Sequence, residues 1–445
     1  HDFIANEVDK HSVNFDASTL PILKHVGPNV VDSLLYHRPS LLALPVDSVS
    51  KVPYRPKFKL DYISNTAGIG ISTGPVNTTE MGGSIFMIFS DMLSNHQLYT
   101  SLSLNGEIYD FGGEVAYINQ TNKVKWGASL SHIPYRSGNM FWTIDTLTIN
   151  QKDYLVDNLV LDYIRLFEDN ISLFSYYPFS QTRRIETALS ASWYSYRIDR
   201  YHNYYDAWGD YIGGKREKLP APSGTNFQIA SLAYVEDNSY FGMTSPLQGK
   251  RSRYQIDKYF GNINLFNVTL DYRKYFFSKP IGLAFRIMHE GLYGSSSQIQ
   301  LASPLYIAYP WLIRGYEDIS FYSSSNYSNY SLNVSNLAGS RMVVGNVELR
   351  FPFTGPEVLA PIKSDIFLTD LNLFFDAGVA WNKGETVKFH WQPSNFDERI
   401  PVCSAGVSLR INLFGYLVIE PYYAFPFQNG GFHHGTFGIN FVPGW

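Results

Sequence analysis

The sequence predicts an all-β fold, and within that class a transmembrane antiparallel β-barrel. Three observations predict it: apolar and polar residues alternate along most of the chain, charged residues are scarce, and no run of about 20 apolar residues, as a spanning helix requires, interrupts the pattern. Charged residues make up 17% of the chain, whereas soluble domains carry about 25%. Membrane barrels need few charges, because their strands face lipid on one side and a wet lumen on the other.

The alternation has a period of two residues. Val124, Trp126, Ala128 and Leu130 are separated by Lys, Gly and Ser residues, and segments 266–273 and 407–413 show the same pattern. Successive side chains of a strand point to opposite faces, so each segment has one apolar and one polar face. The polar face carries Ser, Asn, Gly and Tyr rather than the many Lys and Glu of a soluble surface. This favours a barrel over a soluble sandwich or propeller, which stay open as alternatives.

Strand number and domain limits follow from length. Five prolines punctuate residues 1–55, which predicts a linker from an upstream periplasmic region, with a disordered tail as the alternative. Residues 56–445 are predicted to form the barrel. Strands of about 9–11 residues in an even number, with connections of about a dozen residues, give roughly 16 to 18 strands. Segments 198–227 and 319–340 are predicted to be long extracellular loops.

No catalytic, metal or cofactor site is predicted. Gly70-Ile71-Ser72-Thr73-Gly74 has the spelling of a hydrolase nucleophile turn, but Pro75 follows where a helix should begin. The adjacent His433 and His434 would point to opposite faces of a strand, which makes a poor metal pair. A net charge of −4 argues against a nucleic-acid partner, and a single cysteine excludes a cysteine-clustered metal site.

Charged residues inside the alternating segments are more informative. By parity, Glu348 and Asp376 point opposite to their apolar neighbours and therefore into the lumen. Two carboxylates on neighbouring strands would repel each other unless a cation lies between them. Arg314, delivered by an infolded loop, would satisfy both. Three independent charges lining a wet pore remain the alternative.

These residues carry a family resemblance. Arg314-Gly315-Tyr316 resembles the Arg-Gly-Phe/Tyr motif of the BamA superfamily of outer-membrane assembly and translocation barrels, which includes TamA and the two-partner secretion transporters. Phe374-x-Asp376-x-Gly378 resembles its thirteenth-strand motif, and Glu348 matches its twelfth-strand acidic position. The resemblance covers about residues 228–445. It implies a barrel of about 16 strands whose sixth extracellular loop folds into the lumen and whose loop Arg contacts both acidic positions.

The resemblance also implies a weakly paired seam between the first and last strands. The first strand would begin near Lys57, and the last would span about residues 435–442. The seam residues would be Leu60 and Tyr62 on the first strand and Phe437, Gly438, Ile439 and Phe441 on the last. Phe437, Ile439 and Phe441 would face lipid, and Gly438 would weaken the strand. Pro443 and Gly444 depart from the family by interrupting the alternation before the terminal Trp445.

The function that this resemblance implies is non-enzymatic insertion or translocation of polypeptides in the outer membrane of a Gram-negative bacterium. The expected partners are outer-membrane lipids and polypeptide clients or other outer-membrane subunits, without a cofactor. The front half of the chain is also similar to Bacteroidota barrels that follow a periplasmic TolB-like propeller. A structural anchor or accessory subunit of an outer-membrane complex, and a solute pore, are the alternatives.

Overall fold

The computed structural model describes residues 54–71, 79–105, 108–149, 151–297, 304–317, 332–395, 398–415, 417–429 and 435–441. The chain divides into a unit of residues 1–55 and a unit of residues 56–445, and the architecture below is that of the second unit. Almost all of the first unit lies outside the described residues, so its interpretation as a linker stays a prediction.

Sixteen strands that pair in succession, numbered β1 to β16 in chain order, form one antiparallel sheet within the described residues. The strand count that the family resemblance implied is therefore confirmed. The strands are β1 Lys59–Ile71, β2 Thr79–Ser90, β3 His96–Asn105, β4 Phe111–Asn119, β5 Lys125–Ile149, β6 Lys152–Ser180, β7 Arg183–Tyr205, β8 Thr225–Asp237, β9 Pro246–Gly261, β10 Leu265–Ser278, β11 Ile281–Gly294, β12 Arg341–Gly355, β13 Leu368–Trp381, β14 Val402–Leu413, β15 Leu417–Pro426 and β16 Thr436–Asn440.

Each strand pairs with the next one along the chain. This up-and-down order keeps connections local and places them alternately at the two ends of the sheet. At the two edges, β1 pairs with β2 and β16 pairs with β15; no pairing of β1 with β16 occurs within the described residues. The predicted seam would join these two edge strands, and its weak pairing stays a prediction.

The two faces of the sheet differ as the alternation predicted. On β12 and β13, Glu348 and Asp376 are fully buried, while Val347, Leu373 and Phe375 are exposed on the opposite face. The apolar residues therefore line the outer surface and the polar residues the lumen, the division expected of a membrane barrel. In the described part of the chain, neither short 3₁₀ segment is long or apolar enough to be a spanning helix.

The prediction that residues 198–227 form a loop is wrong for most of that segment. Strand β7 continues to Tyr205, and a short strand, Tyr211–Leu219, pairs back on it before β8 begins at Thr225. The Gly and Asp residues of this segment are typical of loops. Its Tyr and Ile side chains favour extended backbone, however, and the segment extends the hairpin. The second predicted loop falls largely on residues 318–331, outside the described residues.

Candidate functional site

The connection between β11 and β12 folds against the lumenal wall. Residues 304–317 of this connection, called the inner loop below, bury several apolar side chains against strands β12 to β14, whereas Tyr309 and Trp311 stay exposed. Burial of this kind stabilises by about 25 cal/mol per Å² of apolar surface. The infolded loop is therefore confirmed. The buried cluster consists of Ile307, Ala308, Leu312, Ile313, Tyr316, Leu332, Leu337, Met342, Val344, Ala380, Ile400 and Val402.

Arg314 is the central side chain of the inner loop. Its Nε and Nη2 donate to Oδ2 and Oδ1 of Asp376 at 2.8 and 2.9 Å, a bidentate contact. Its Nη1 lies 2.9 Å from Oε1 of Glu348. Because all three side chains are buried, these contacts form away from bulk water, where charge-assisted hydrogen bonds are strongest. The structure thus brings together the three residues that the sequence singled out.

Three further charged side chains complete the group, which we call the loop-locking cluster: Arg314, Arg350, Arg410, Glu348, Asp376 and Glu420. Arg350 Nη2 lies 2.7 Å from Glu348, and Arg410 Nη2 lies 2.9 Å from it. Glu420 of β15 accepts from Arg314 Nη1 at 3.1 Å. Three guanidiniums therefore face three carboxylates. Parity and motif spacing predicted one arginine between two carboxylates. Glu420 was missed, because its only signal in the sequence was its position on the polar face of β15.

Neutral neighbours hold the cluster in place. The Arg314 guanidinium carbon lies 3.6 Å from the centroid of the Phe374 ring, a cation–π contact. Asn346 Nδ2 donates to Asp376 Oδ1 at 2.8 Å and to the Leu312 carbonyl at 2.7 Å, which ties β12 to the loop backbone. The family motif residue Phe374 therefore has a specific contact: its ring covers the buried guanidinium.

Two motif glycines are required by the close approach of the loop to the wall. Gly315 has a φ of +91°, which L side chains rarely adopt, and a Cβ there would lie 2.9 Å from Cβ of Ala424. Gly378 of β13 leaves room for Ile313, because a Cβ at position 378 would lie 2.6 Å from its Cδ1. Both glycines therefore allow the loop to reach the acidic residues.

Tyr316 fixes the far end of the motif. Its hydroxyl lies 2.9 Å from the Cys403 carbonyl oxygen and 2.7 Å from Oε1 of Gln428. The same Gln428 oxygen accepts the Cys403 N–H at 2.8 Å. The inner loop is thus attached to β12 and β13 through Arg314, and to β14 and the connection after β15 through Tyr316.

An ion pair of Arg399 and Glu385 links the connection between β13 and β14 to the connection between β11 and β12 on the extracellular side. Arg399 donates to Glu385 at 2.7 Å and to the carbonyl oxygens of Ser335 and Ala338 at 2.7 and 3.0 Å. Burial acts to raise the pKa of Glu385, but hydrogen bonds from the Asn382 backbone N–H and from Arg399 outweigh it, so the pKa lies below its ordinary value. A carboxylate of lowered pKa stabilises the fold at neutral pH, and this stabilisation is lost as the pH falls through the folded-state pKa.

We therefore expect the connection of residues 382–401 to be more sensitive to acid-active protease at about pH 3 than at about pH 5, because the stabilisation from the bond between Glu385 and Arg399 is lost as the pH falls below the ordinary glutamate pKa of about 4.3 towards the lower folded-state pKa. Limited pepsin digestion followed by mass spectrometry measures this, with cleavage at each pH normalised to that of an unfolded control peptide, because the activity of pepsin itself depends on pH. The variant Arg399→Gln removes the partner and should show high sensitivity at both pH values. Equal protection of the wild-type connection at both pH values would contradict the prediction.

The predicted seam residues lie on the two edge strands. Leu60 and Tyr62 of β1 are exposed, as are Phe437 and Ile439 of β16 and the following Phe441. Strand β16 begins one residue later and ends two residues earlier than predicted. Gly438 faces Tyr422 of β15 so closely that any added side chain would overlap the ring, which gives a packing reason for glycine there.

The structure does not describe the residues that were considered for catalysis or metal binding. Ser72, His433 and His434 lie outside the described residues. Within the described ranges, no group of three or more His, Cys, Asp or Glu side chains is arranged to hold a metal ion.

One protein family matches the part of the chain that carries the inner loop and the loop-locking cluster. The sequence model of the Omp85 superfamily domain matches residues 98–444. The chain belongs to the Omp85 superfamily. Omp85 proteins of this barrel type reside in the outer membrane of Gram-negative bacteria, and that is the location of this protein. No curated protein sequence matches the chain.

Solved structures similar to this Omp85 chain include two outer-membrane proteins. BamA from Haemophilus ducreyi lacking POTRA domains 1–3 is 11% identical, with a TM-score of 0.49, over 87% of this chain and 71% of that chain. CdiB from Acinetobacter baumannii is 12% identical, with a TM-score of 0.44, over 86% of this chain and 58% of that chain.

Proposed function

We propose that this Omp85 barrel inserts or translocates polypeptides, without enzymatic chemistry, through a weakly paired seam between β1 and β16. The observation that carries the proposal is the shortness of the last strand: β16 has five residues, and it pairs with β15 at five positions. An edge strand offers unpaired backbone N–H and C=O groups to another chain. A client strand could therefore add to this edge by β-augmentation.

The loop-locking cluster supports the proposal by its position beside the edge. Apart from Arg314 of the inner loop, its members lie on β12, β13, β14 and β15, the four strands that precede β16. Glu420 belongs to the cluster through Oε1, and its Oε2 lies 3.4 Å from Asn440 Nδ2 of β16. We infer that the inner loop braces this part of the wall, so that the edge can separate while β12 to β15 stay together.

Site-specific photo-crosslinking in growing cells tests the seam. With a photo-reactive residue in place of Ile439, we expect adducts to many newly made outer-membrane or surface proteins, because this side chain is exposed on the edge strand. A matched control places the same residue at Val407, which is equally exposed to lipid on β14 but has a paired strand on each side. The control should give no client adducts.

Other outcomes at Ile439 would replace the proposal. A single fixed adduct would identify a permanent partner and make the barrel an anchor or accessory subunit. The absence of adducts, together with bilayer conductance that persists when the seam is locked by a disulfide, would favour a solute pore. Equal client adducts at Ile439 and Val407 would show that the clients do not select the seam.

A further inference from the structure

A second cluster of arginines lies far from the inner loop, on strands β5 to β7. Arg136, Arg165 and Arg197 are directly opposite one another in the register of these three strands. Arg216 joins them from the short strand Tyr211–Leu219. Two carboxylates accompany them: Asp110 lies 2.7 Å from both Arg136 and Arg165, and Asp199 contacts Arg165, Arg197 and Arg216 at 2.8, 2.7 and 3.2 Å. These six side chains, the outer arginine cluster, have a formal charge of +2.

The outer arginine cluster lies on the lipid-facing side of the sheet. Arg136 lies an even number of positions from Leu130 of β5, which is exposed, and therefore shares its face. Arg165 likewise lies an even number of positions from the exposed Ile171 of β6. No register shift interrupts the pairing between these positions. The lumenal face of the same strands carries polar residues such as Ser131 and Asn170. The cluster therefore points away from the lumen.

The height of the cluster places it at the outer membrane–water interface. Trp126 lies at the periplasmic end of β5, and tryptophans are enriched at membrane interfaces. Arg136 lies ten residues further along the strand. At about 3.3 Å per residue and a tilt of about 40°, ten residues rise about 25 Å, which is the height of the apolar band of a membrane barrel. The guanidiniums thus lie at the level of the lipid headgroups of the outer leaflet.

An apolar groove lies directly below the cluster on the same face. It has a volume of about 440 Å³, and its apolar lining includes Leu102, Val115, Leu130, Ile171 and Trp193. The hydrogen-bonded side chains of His132 and Asp169, with Nδ1 and Oδ1 2.7 Å apart, lie between this lining and the arginines. A groove of this composition suits an acyl chain, and its alignment with the arginines suits a lipid rather than a soluble anion.

We propose that this face binds a phosphorylated lipid of the outer leaflet, with its phosphate at the outer arginine cluster and an acyl chain in the groove. A phosphomonoester carries a charge of about −1.5 to −2 at neutral pH, which complements the formal charge of the cluster. Guanidiniums match phosphate geometry with paired hydrogen bonds. Arg197 and Arg216 keep 24% and 38% of their side-chain surface exposed, so a headgroup can reach them.

Native mass spectrometry of the full chain in detergent tests the proposal, with bis-phosphorylated lipid A as the probe and its dephosphorylated form as the comparison. We expect the double variant Arg197→Gln/Arg216→Gln to bind the phosphorylated lipid about tenfold more weakly, a loss of about 1.4 kcal/mol, because two charge-assisted hydrogen bonds are replaced by weaker neutral ones. The matched control is Arg200→Gln. Arg200 lies on the same strand, is bound to Asp162 and faces the lumen, so lipid binding should not change.

A second pair of variants tests the groove. Val115→Trp fills it and should weaken lipid binding, whereas Leu189→Trp, on the exposed outer face of β7 and outside the groove, should not. Heat modifiability on gels confirms that each variant is folded. Equal binding of the two lipids, equal loss in the Arg200→Gln control, or displacement of bound lipid by millimolar inorganic phosphate would each overturn the proposal. These outcomes do not bear on the seam, whose test uses clients rather than lipid.

Discussion

Arg314→Ala is expected to lower the free energy of unfolding of the barrel by about 3–5 kcal/mol and to free the inner loop from the wall. The substitution removes the cation that contacts Asp376, Glu348 and Glu420, and all three carboxylates are buried. Glu348 and Glu420 keep Arg410 as a partner, but among the described ion pairs Asp376 has Arg314 alone. A buried charge without its partner costs far more than the pair contributes, because it does not regain water. The Phe374 ring would also lose the cation that it covers.

Two measurements check this prediction. The temperature at which the folded band disappears on gels should fall, and added protease should cleave the inner loop of the variant faster than that of the wild type. Arg253→Ala is the matched control, since Arg253 also contacts a carboxylate, Glu186, but keeps 42% of its side chain exposed. Its effect should stay within about 1 kcal/mol. An Arg314→Ala barrel with wild-type heat resistance and loop protection would exclude a locking role.

The fold was predictable because period two is a local signal. The alternation in segments such as 124–131 records which face of a strand meets lipid, and this needs no knowledge of the neighbouring strand. Parity also predicted that Glu348 and Asp376 face the lumen. The motif spacing then linked both to Arg314, and the structure places the three in contact.

The rest of the loop-locking cluster depends on register, which a single sequence does not contain. Glu420 and Arg410 reach Arg314 and Glu348 because β14 and β15 bring their polar faces to the same height in the lumen. The outer arginine cluster was missed for the same reason: Arg136, Arg165 and Arg197 are about 30 residues apart in sequence and are brought together only by the pairing of β5 to β7. The Tyr211–Leu219 strand was missed because its glycines suggested a loop.

Glu348→Gln is expected to destabilise the barrel at least as much as Arg314→Ala. Glu348 is the carboxylate that contacts all three guanidiniums of the loop-locking cluster, at 2.9 Å for Arg314, 2.7 Å for Arg350 and 2.9 Å for Arg410. Glutamine keeps the volume but removes the charge. Within the cluster, three buried cations would then face the two carboxylates of Asp376 and Glu420, and like charges at this distance repel strongly away from water.

A second substitution at Arg410 separates the effect of charge from that of packing. If charge balance decides the loss, removing one cation should restore part of it, so Glu348→Gln/Arg410→Gln should be more stable than Glu348→Gln alone. A double-mutant cycle on unfolding free energies measures the coupling, which we expect to be about 1–3 kcal/mol for residues in direct contact. Additive losses would instead assign the effect to lost hydrogen bonds. In the described hydrogen bonds and ion pairs, Arg410 contacts neither the backbone of the inner loop nor Asp376. If the double variant regains protection of the inner loop against protease, the cause would therefore be the charge balance around Arg314.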